Sequence, residues 1–333
     1  MAERRALITG IGGQGGSLLA ELLLDHGYVV VGTGRPGAPP YPNLAAIEER
    51  VELVDADLLD QASLERALRG TQPQEVYNLA APSFVPASWD RPVETAEFAA
   101  VGATSLLEAI RTVDPTIRFY QASSSEIFGE PSEAPQTETT PLAPVTPYGV
   151  AKAYAHFSAR SYRRRYDLYA CSGILYNHES PRRPLDFLPR KVAHGVARIA
   201  HDLDQELVLG DLDAQRDWGY AGDYVRAMWL MLQQDEPDDY VVASGESHSV
   251  RELVECAFDH VGLDWQRYVR VDPALQRGKA ELHRLVGDPT RARERLGWTA
   301  EVDFAALVRL LVDADLALVG TTAESTAAAR PGQ

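Results

Sequence analysis

The sequence predicts an α/β protein built on a doubly wound parallel sheet, with a smaller C-terminal lobe. Three observations predict it. Short apolar, β-branched runs alternate with amphipathic segments through the first half of the chain. A glycine-rich turn stands between the first such run and the first helical segment. From about residue 176 the texture changes to arginine- and proline-bearing loops between helices.

The elements follow in order. "RALITG" gives the first strand and leads into an amphipathic helix over 16–26. "YVVVGTG", "VELVDADL" and "EVYNLAA" give the next three strands. A helical segment over 93–112 precedes "IRFYQASSS", and "LYACSGILYN" completes the set. This alternation implies right-handed crossovers and therefore parallel strands. The C-terminal lobe carries helices near 187–202, 222–234, 249–261 and 302–318. Residues 1–175 are thus expected to form the sheet domain, and 176–320 mainly a substrate-binding lobe with some chain returning to the sheet. The small, polar end "TTAESTAAARPGQ", 321–333, is expected to be disordered. There is no internal repeat.

With 333 residues and 45% hydrophobic content the chain can bury a large core. No run of about 18 apolar residues occurs, and "MAERRALITG" passes from two arginines into a strand without a signal-peptide core, so a cytoplasmic location is expected. Cys171 and Cys256 lack a CxxC spacing and read as buried reduced thiols, with no metal site expected. A net charge of −16 repels nucleic acid and anionic membranes, excluding both as expected partners. Basic clusters in so acidic a chain are therefore informative. Arg182, Arg183, Arg190, Lys191, Arg216, Arg277 and Lys279 gather in the second lobe, where a diphosphate would suit them. The run Arg163-Arg164-Arg165 reads instead as an ordinary surface helix.

"ITGIGGQGGSLLAELL" sets Gly10, Gly13 and Gly16, with Gln14 among them, between strand and helix. Glycine permits the tight turn and close backbone approach, and the helix N-terminus then faces a pyrophosphate. This is a Rossmann-like arrangement for a dinucleotide. Arg35 ends the second strand, where an acid would hold a free ribose 2′-hydroxyl; arginine suits a 2′-phosphate, so NADP is favoured. Asp57, with Leu58 beside it, is placed at the adenine edge, and Leu79, Ala81 and Ser83 in "NLAAPS" line the cofactor further along.

Two further stretches carry chemistry. "TPYGVAKAYAHF" holds Tyr148 and Lys152 four apart, on one face of a helix. An ammonium near a phenol favours the phenolate, so Tyr148 can act as a base near neutral pH. "YQASSSEIFGE" sets three serines and then Glu126 at a strand exit, where ligands meet α/β sheets.

Together with "YNLAAPSFVPASW", "GILYNHESPRR", "GDLDAQRDWGYAGDYVRAMWLMLQ" and "GDPTRARERLGW", these stretches resemble the extended short-chain dehydrogenase/reductase family and, within it, the GDP-mannose 4,6-dehydratases. The resemblance covers nearly the whole chain. It implies Ser124, Tyr148 and Lys152 as a catalytic triad, with Glu126 as an extra acid/base. It places His178 and Arg183 against NADP, and Asn177, Lys191, Arg216, Arg277 and Glu281, with Ser83, Ser124 and Glu126, around the nucleotide sugar. The implied function is an NADP-dependent hydro-lyase converting GDP-mannose to its 4-keto-6-deoxy form, in a homodimer or homotetramer. An epimerase or reductase of another nucleotide sugar, or a non-catalytic sensor, stays open. Departures from the family pattern are Ser124 for threonine, Gly12 and Gly15 in the glycine loop, Pro36 after Arg35, Pro82 for glutamine, and one extra residue between Arg277 and Glu281.

Overall fold

The computed structural model describes residues 3–35, 37, 40–275 and 285–328, with side chains through Thr321. Arg277, Lys279 and Glu281 lie outside the described residues. The first half alternates strand and helix as the apolar runs require. In chain order it comprises β1 (Arg5–Thr9), α1 (Gln14–Asp25), β2 (Val29–Gly34), β3 (Val51–Asp55), α2 (Gln61–Thr71) and β4 (Glu75–Asn78). Three helices, α3 (Ala87–Asp90), α4 (Pro92–Ala96) and α5 (Gly102–Val113), lead to β5 (Arg118–Ser124). Then α6 (Pro147–Tyr166) returns the chain to β6 (Ala170–Leu175). Because helices cover both faces, β4 and β6 are buried along their full length, which is why their sequences read as continuous apolar runs.

The second half begins with β7 (Asn177–Glu179), α7 (Leu188–Ala200), β8 (Leu207–Leu209), β9 (Gln215–Arg216), β10 (Trp218–Tyr220) and α8 (Ala221–Met231). It continues through β11 (Asp239–Val242), β12 (His248–Ser249), α9 (Val250–His260), β13 (Val269–Val271) and α10 (Phe304–Ala328). The main sheet has seven strands in the order β3-β2-β1-β4-β5-β6-β11. Its pairings are all parallel. Chain does return to the sheet from the C-terminal half: β11 pairs with β6, Val242 against Leu175. The remaining strands form short two-stranded pairs that shape the lobe.

Each layer is fixed by recognisable local chemistry. Asp60 caps α2 by accepting the N–H groups of Ala62 and Ser63, so the helix starts directly after the β3 loop. Thr146 caps α6 by accepting from Gly149, with Pro147 in the first turn, where a missing N–H costs nothing. Leu106, Leu107 and Ile110 of α5 meet Leu64 and Leu68 of α2 over one face of the sheet. A separate core joins α7, α9 and α10 through Val192, Val196, Leu253, Phe258, Val308 and Leu311.

Two expectations are corrected. The last helix was expected to stop near 318 and give way to an irregular tail from 321, yet α10 runs to Ala328. Residues 322–328 are mostly small and polar but hold good helix formers, and no glycine or proline interrupts them. Arg163 is not a solvated surface charge. Its guanidinium donates to both oxygens of Asp239, at 3.0 and 2.8 Å, tying the end of α6 to β11.

Candidate active site

Strand order reverses around β1, which lies between β2 and β4, and the crevice beyond their C-terminal ends is where such sheets receive ligands. The glycine loop sits there. Gly10 has φ +71°, and a Cβ on it would stand 2.9 Å from the Ala80 backbone, so this turn requires glycine. A Cβ on Gly16 would lie 2.6 Å from Ile11 Cα, so glycine also allows α1 to start against the strand exit. Gly13 is the N-cap and has no side chain to occupy the first N–H groups of the helix. Gln14 is buried and joins this loop to the second half of the chain: its amide donates to His178 O at 2.9 Å and accepts from Ser180 Oγ at 2.8 Å.

The other sequence-predicted cofactor residues fall along the same crevice. Arg35 is exposed at the end of β2, its guanidinium 5.6 Å from the Phe98 ring centre. The Asp57 carboxylate accepts Leu59 N–H at 2.9 Å, which fixes the turn after β3. Leu58 is buried, and Leu79 and Ala81 are half-buried beyond β4, with Ser83 exposed in the following loop. Sequence reasoning missed Tyr41 and Asn43. The Tyr41 ring covers Gly12, and the Asn43 amide donates to Gly12 O at 3.1 Å. A glycine turn leading into a helix N-terminus fits the pyrophosphate of a dinucleotide.

Beyond β5, Ser124, Glu126 and Tyr148 come together. The Ser124 hydroxyl accepts Glu126 N–H at 3.2 Å. Gly149 lets α6 approach closely, since a Cβ there would lie 2.6 Å from Glu126 O. Burial pushes the Tyr148 hydroxyl up to about 12; the Ser124 bond and the Arg183 charge pull it down, and the Glu126 carboxylate pushes it further up. Lys152 is 5% exposed and donates to Ala122 O at 2.9 Å, with its nitrogen 5.7 Å from the Tyr148 ring centre. Burial lowers its ammonium to about 8.

The segment from β7 closes the site. His178 stacks on Tyr224 with ring centres 5.0 Å apart, and its Nδ1 lies 2.9 Å from Tyr176 O. Burial, with Arg183 second, lowers His178 to about 4, so the ring is neutral. Glu179 is 1% exposed, and its Oε2 stands 3.4 Å from Arg183 Nε. Burial pushes this carboxyl up to about 7, against the pull of Arg183 and Arg190. The Arg183 guanidinium lies 3.5 Å from the Phe187 ring centre, and Phe187 packs edge-on against Phe84, next to Ser83.

The basic residues of the second lobe divide. Arg182 is held by Ser17 at 3.0 Å and Glu21 at 2.6 Å, bracing α1. Arg190 is buried and pairs with the fully buried Asp315 at 2.8 Å, joining α7 to α10. These two are structural ion pairs, which corrects their reading as part of an anion site. Lys191 is exposed and donates to Val208 O at 2.9 Å. Asn177 is half-buried on β7, and Arg216 on β9 donates to Gln215 O at 2.6 Å. Neighbouring Asp217 accepts from Ser244, Gly245 and Gly287, which locks the "RDWG" turn. Among the described residues no group of three or more His, Cys, Asp or Glu could hold a metal ion, and no helix is long and apolar enough to cross a membrane. Both cysteines are free; Cys171 is buried and Cys256, contrary to expectation, only half-buried.

The reversal of strand order at β1 and the meeting of Ser124, Tyr148 and Lys152 beyond β5 define an extended short-chain dehydrogenase/reductase. The family profile described as GDP-mannose 4,6 dehydratase matches residues 7–311. The protein called GDP-mannose 4,6 dehydratase 2 in Arabidopsis thaliana is 48% identical over 330 residues, spanning 94% of this chain and 87% of that protein. The human GDP-mannose 4,6 dehydratase is 44% identical over 344 residues, spanning 95% and 92%. Among solved structures, DesIV, a dTDP-glucose 4,6-dehydratase from Streptomyces venezuelae with NAD bound, matches with a TM-score of 0.84 at 26% identity, covering 95% of this chain and 98% of that one. The chain belongs to the GDP-mannose 4,6-dehydratase family.

Proposed function

We propose that the protein is an NADP-dependent GDP-mannose 4,6-dehydratase that forms GDP-4-keto-6-deoxy-mannose. The observation that carries this reading is the placement of a carboxylate, Glu126, two residues after Ser124 and close enough to Tyr148 to raise its pKa. A reductase or simple epimerase has no use for a second acid/base group at that point. Gly10, Gly13, Gln14 and Gly16 would hold the pyrophosphate, Arg35 the 2′-phosphate, and Asp57, Leu58, Leu79, Ala81, Ser83, His178 and Arg183 the remaining length of the dinucleotide. When bound, that cofactor would supply the reversible hydride exchange between C4 and C6.

The chain's own residues handle the protons. Tyr148 removes the proton of the C4 hydroxyl while Ser124 hydrogen-bonds the same oxygen. Lys152 supports the tyrosine from the next turn of α6. The ketone formed at C4 acidifies the C5 proton, which Glu126 takes. Protonated Glu126 then gives its proton to the departing C6 hydroxyl and water leaves; as C6 is reduced, C5 regains a proton, and Tyr148 releases the one it took, so both groups end as they began. Asn177, Lys191 and Arg216 would position the nucleotide diphosphate from the C-terminal lobe, together with Arg277 and Glu281. Incubation of the protein with GDP-, CDP-, UDP- and dTDP-hexoses, read by product mass, tests the reading. Loss of one water from GDP-mannose is expected, and no such loss would overturn it.

A homodimer belongs to the same proposal. Val150, Tyr154 and Phe157 of α6 and Val101 before α5 are each about half exposed, and these helices flank the sheet. Four exposed apolar side chains on adjacent helices suit a second copy of the same surface. The cytoplasmic location, expected from the sequence, is part of the same reading.

A further inference from the structure

Gln14 is the one polar side chain among the glycines from Gly10 to Gly16, and it is buried, 6% exposed. Both ends of its amide are engaged with the chain that follows β7. Nε2 donates to His178 O at 2.9 Å, and Oε1 accepts Ser180 Oγ at 2.8 Å. A carbonyl can only accept, so the first bond fixes which way the amide faces. Ser180 is 1% exposed, and its hydroxyl oxygen also accepts Arg182 N–H at 3.2 Å. Arg182 extends the contact by donating to Ser17 Oγ and Glu21 Oε1. Gln14, Ser17 and Glu21 follow one another at helical spacing on α1, so one face of that helix clasps the segment from His178 to Arg182. The other flank of His178 is held by its pairing with Gly219 of β10 and its stack on Tyr224 of α8. Glutamine suits this place because one amide tip serves a carbonyl and a hydroxyl together, where leucine would fill the space and bond neither.

We infer that Gln14 is a positioning residue for the cofactor: its side chain sets the span between the glycine turn and the His178–Arg183 segment. The inference rests on the proposed cofactor reading, which puts that turn under the pyrophosphate and that segment along the dinucleotide. The sheet order says which end of the dinucleotide is concerned. Arg35 at the exit of β2 would hold the adenosine half, so the other half crosses β1 toward β4, β5 and β6, and β7 begins two residues after β6 ends. The clasp therefore places the segment that receives the nicotinamide ring.

Gln14→Leu tests this with two ligands. After removal of bound nucleotide, calorimetry compares NADP with 2′-phospho-ADP-ribose, the same molecule without its nicotinamide ring. The unaltered protein should bind NADP more tightly. Gln14→Leu should lose about tenfold in NADP affinity, the scale of two neutral hydrogen bonds, and bind the ring-less ligand as before. Equal weakening of both ligands would mean that the side chain meets the pyrophosphate directly, and unchanged binding of both that the clasp only braces the fold. Equal affinities in the unaltered protein would mean that the segment adds nothing to be positioned. Each of these overturns the inference. Should the protein prefer NAD, then NAD and ADP-ribose carry the same comparison, so failure of the NADP reading stays distinct; binding of neither dinucleotide overturns both. A protein that dehydrates no nucleotide sugar would remove the dehydratase reading without altering these affinities. Should Gln14→Leu not fold, Ser180→Ala decides, since it removes one of the two bonds and leaves the glycine turn intact: a smaller loss confined to NADP supports the clasp, and any other pattern overturns it.

Discussion

The Ser124 hydroxyl accepts the backbone N–H of Glu126 at 3.2 Å and pulls the Tyr148 hydroxyl down against the effect of burial, so one oxygen bears on both groups assigned to proton transfer. Ser124→Ala removes this oxygen and should lower kcat by about 10²-fold or more, the scale of a lost oxygen-directed donor. Ser124→Thr keeps the hydroxyl and should stay within about tenfold of the unaltered enzyme. Steady-state kinetics with GDP-mannose check both, and equal loss in the two variants would deny the hydroxyl its place.

Tyr148 and Glu126 should stop the reaction at different points. Tyr148→Phe keeps the ring and removes the base, so neither the 4-ketone nor reduced cofactor should form. Glu126→Gln cannot take the C5 proton; reduced cofactor should accumulate while 6-deoxy product falls by about 10²-fold or more. In D₂O the unaltered enzyme should place deuterium at C5 and the glutamine variant should not. Normal dehydration and labelling by Glu126→Gln would make that carboxylate a bystander.

Arg35 should set cofactor choice. It stands exposed at the β2 exit with its guanidinium over Phe98, which restrains it without neutralising it. NADP should bind more tightly than NAD, and Arg35→Ala should remove about 1–3 kcal/mol of that preference. Titration calorimetry with both dinucleotides measures it; equal affinities in the unaltered protein would refute the assignment.

Glu179 predicts a pH-dependent stability of defined sign. Its folded-state carboxyl is raised from 4.5 to about 7 by burial, so the native state holds that proton more tightly than the unfolded chain. The stability it contributes is fully present below the unfolded value and is lost as pH rises through about 7. Up to about 3 kcal/mol is at stake. Urea unfolding at pH 5 and pH 8 should show a steeper fall for the unaltered protein than for Glu179→Gln, and parallel slopes would contradict the burial argument.

The exposed α6 face should vanish into a dimer. Light scattering of the unaltered protein at micromolar concentration should give twice the chain mass, and Tyr154→Glu with Phe157→Glu should give the monomer with its circular dichroism retained. A monomeric unaltered protein would end the proposal.

The sheet was legible because its inner strands are buried on both faces, so that "YVVV" and "FYQASSS" are short apolar runs of a strand's length. The glycine loop was legible because Gly10 and Gly16 have steric reasons to be glycine. What stayed hidden depends on distant partners. Arg182 and Arg190 looked like anion binders because their carboxylates, Glu21 and Asp315, lie 161 and 125 residues away. β11 is a short "DYVV" behind an acidic turn, and nothing local says that it completes the sheet beside β6. The lobe's strands of two or three residues show no period.

The position of β11 has a consequence for how the protein is made. β6 is complete once Leu175 is synthesised, yet its outer edge is paired only by Asp239–Val242. A ribosome adding about 5–20 residues each second leaves that hydrophobic edge open for some seconds on the nascent chain. An open parallel edge is a template for the wrong neighbour. Expression of residues 1–175 alone would make the interval permanent, so the cofactor half should come out of cells as aggregate, and supplying the remaining chain early, rather than cooling or dilution, is what should rescue it.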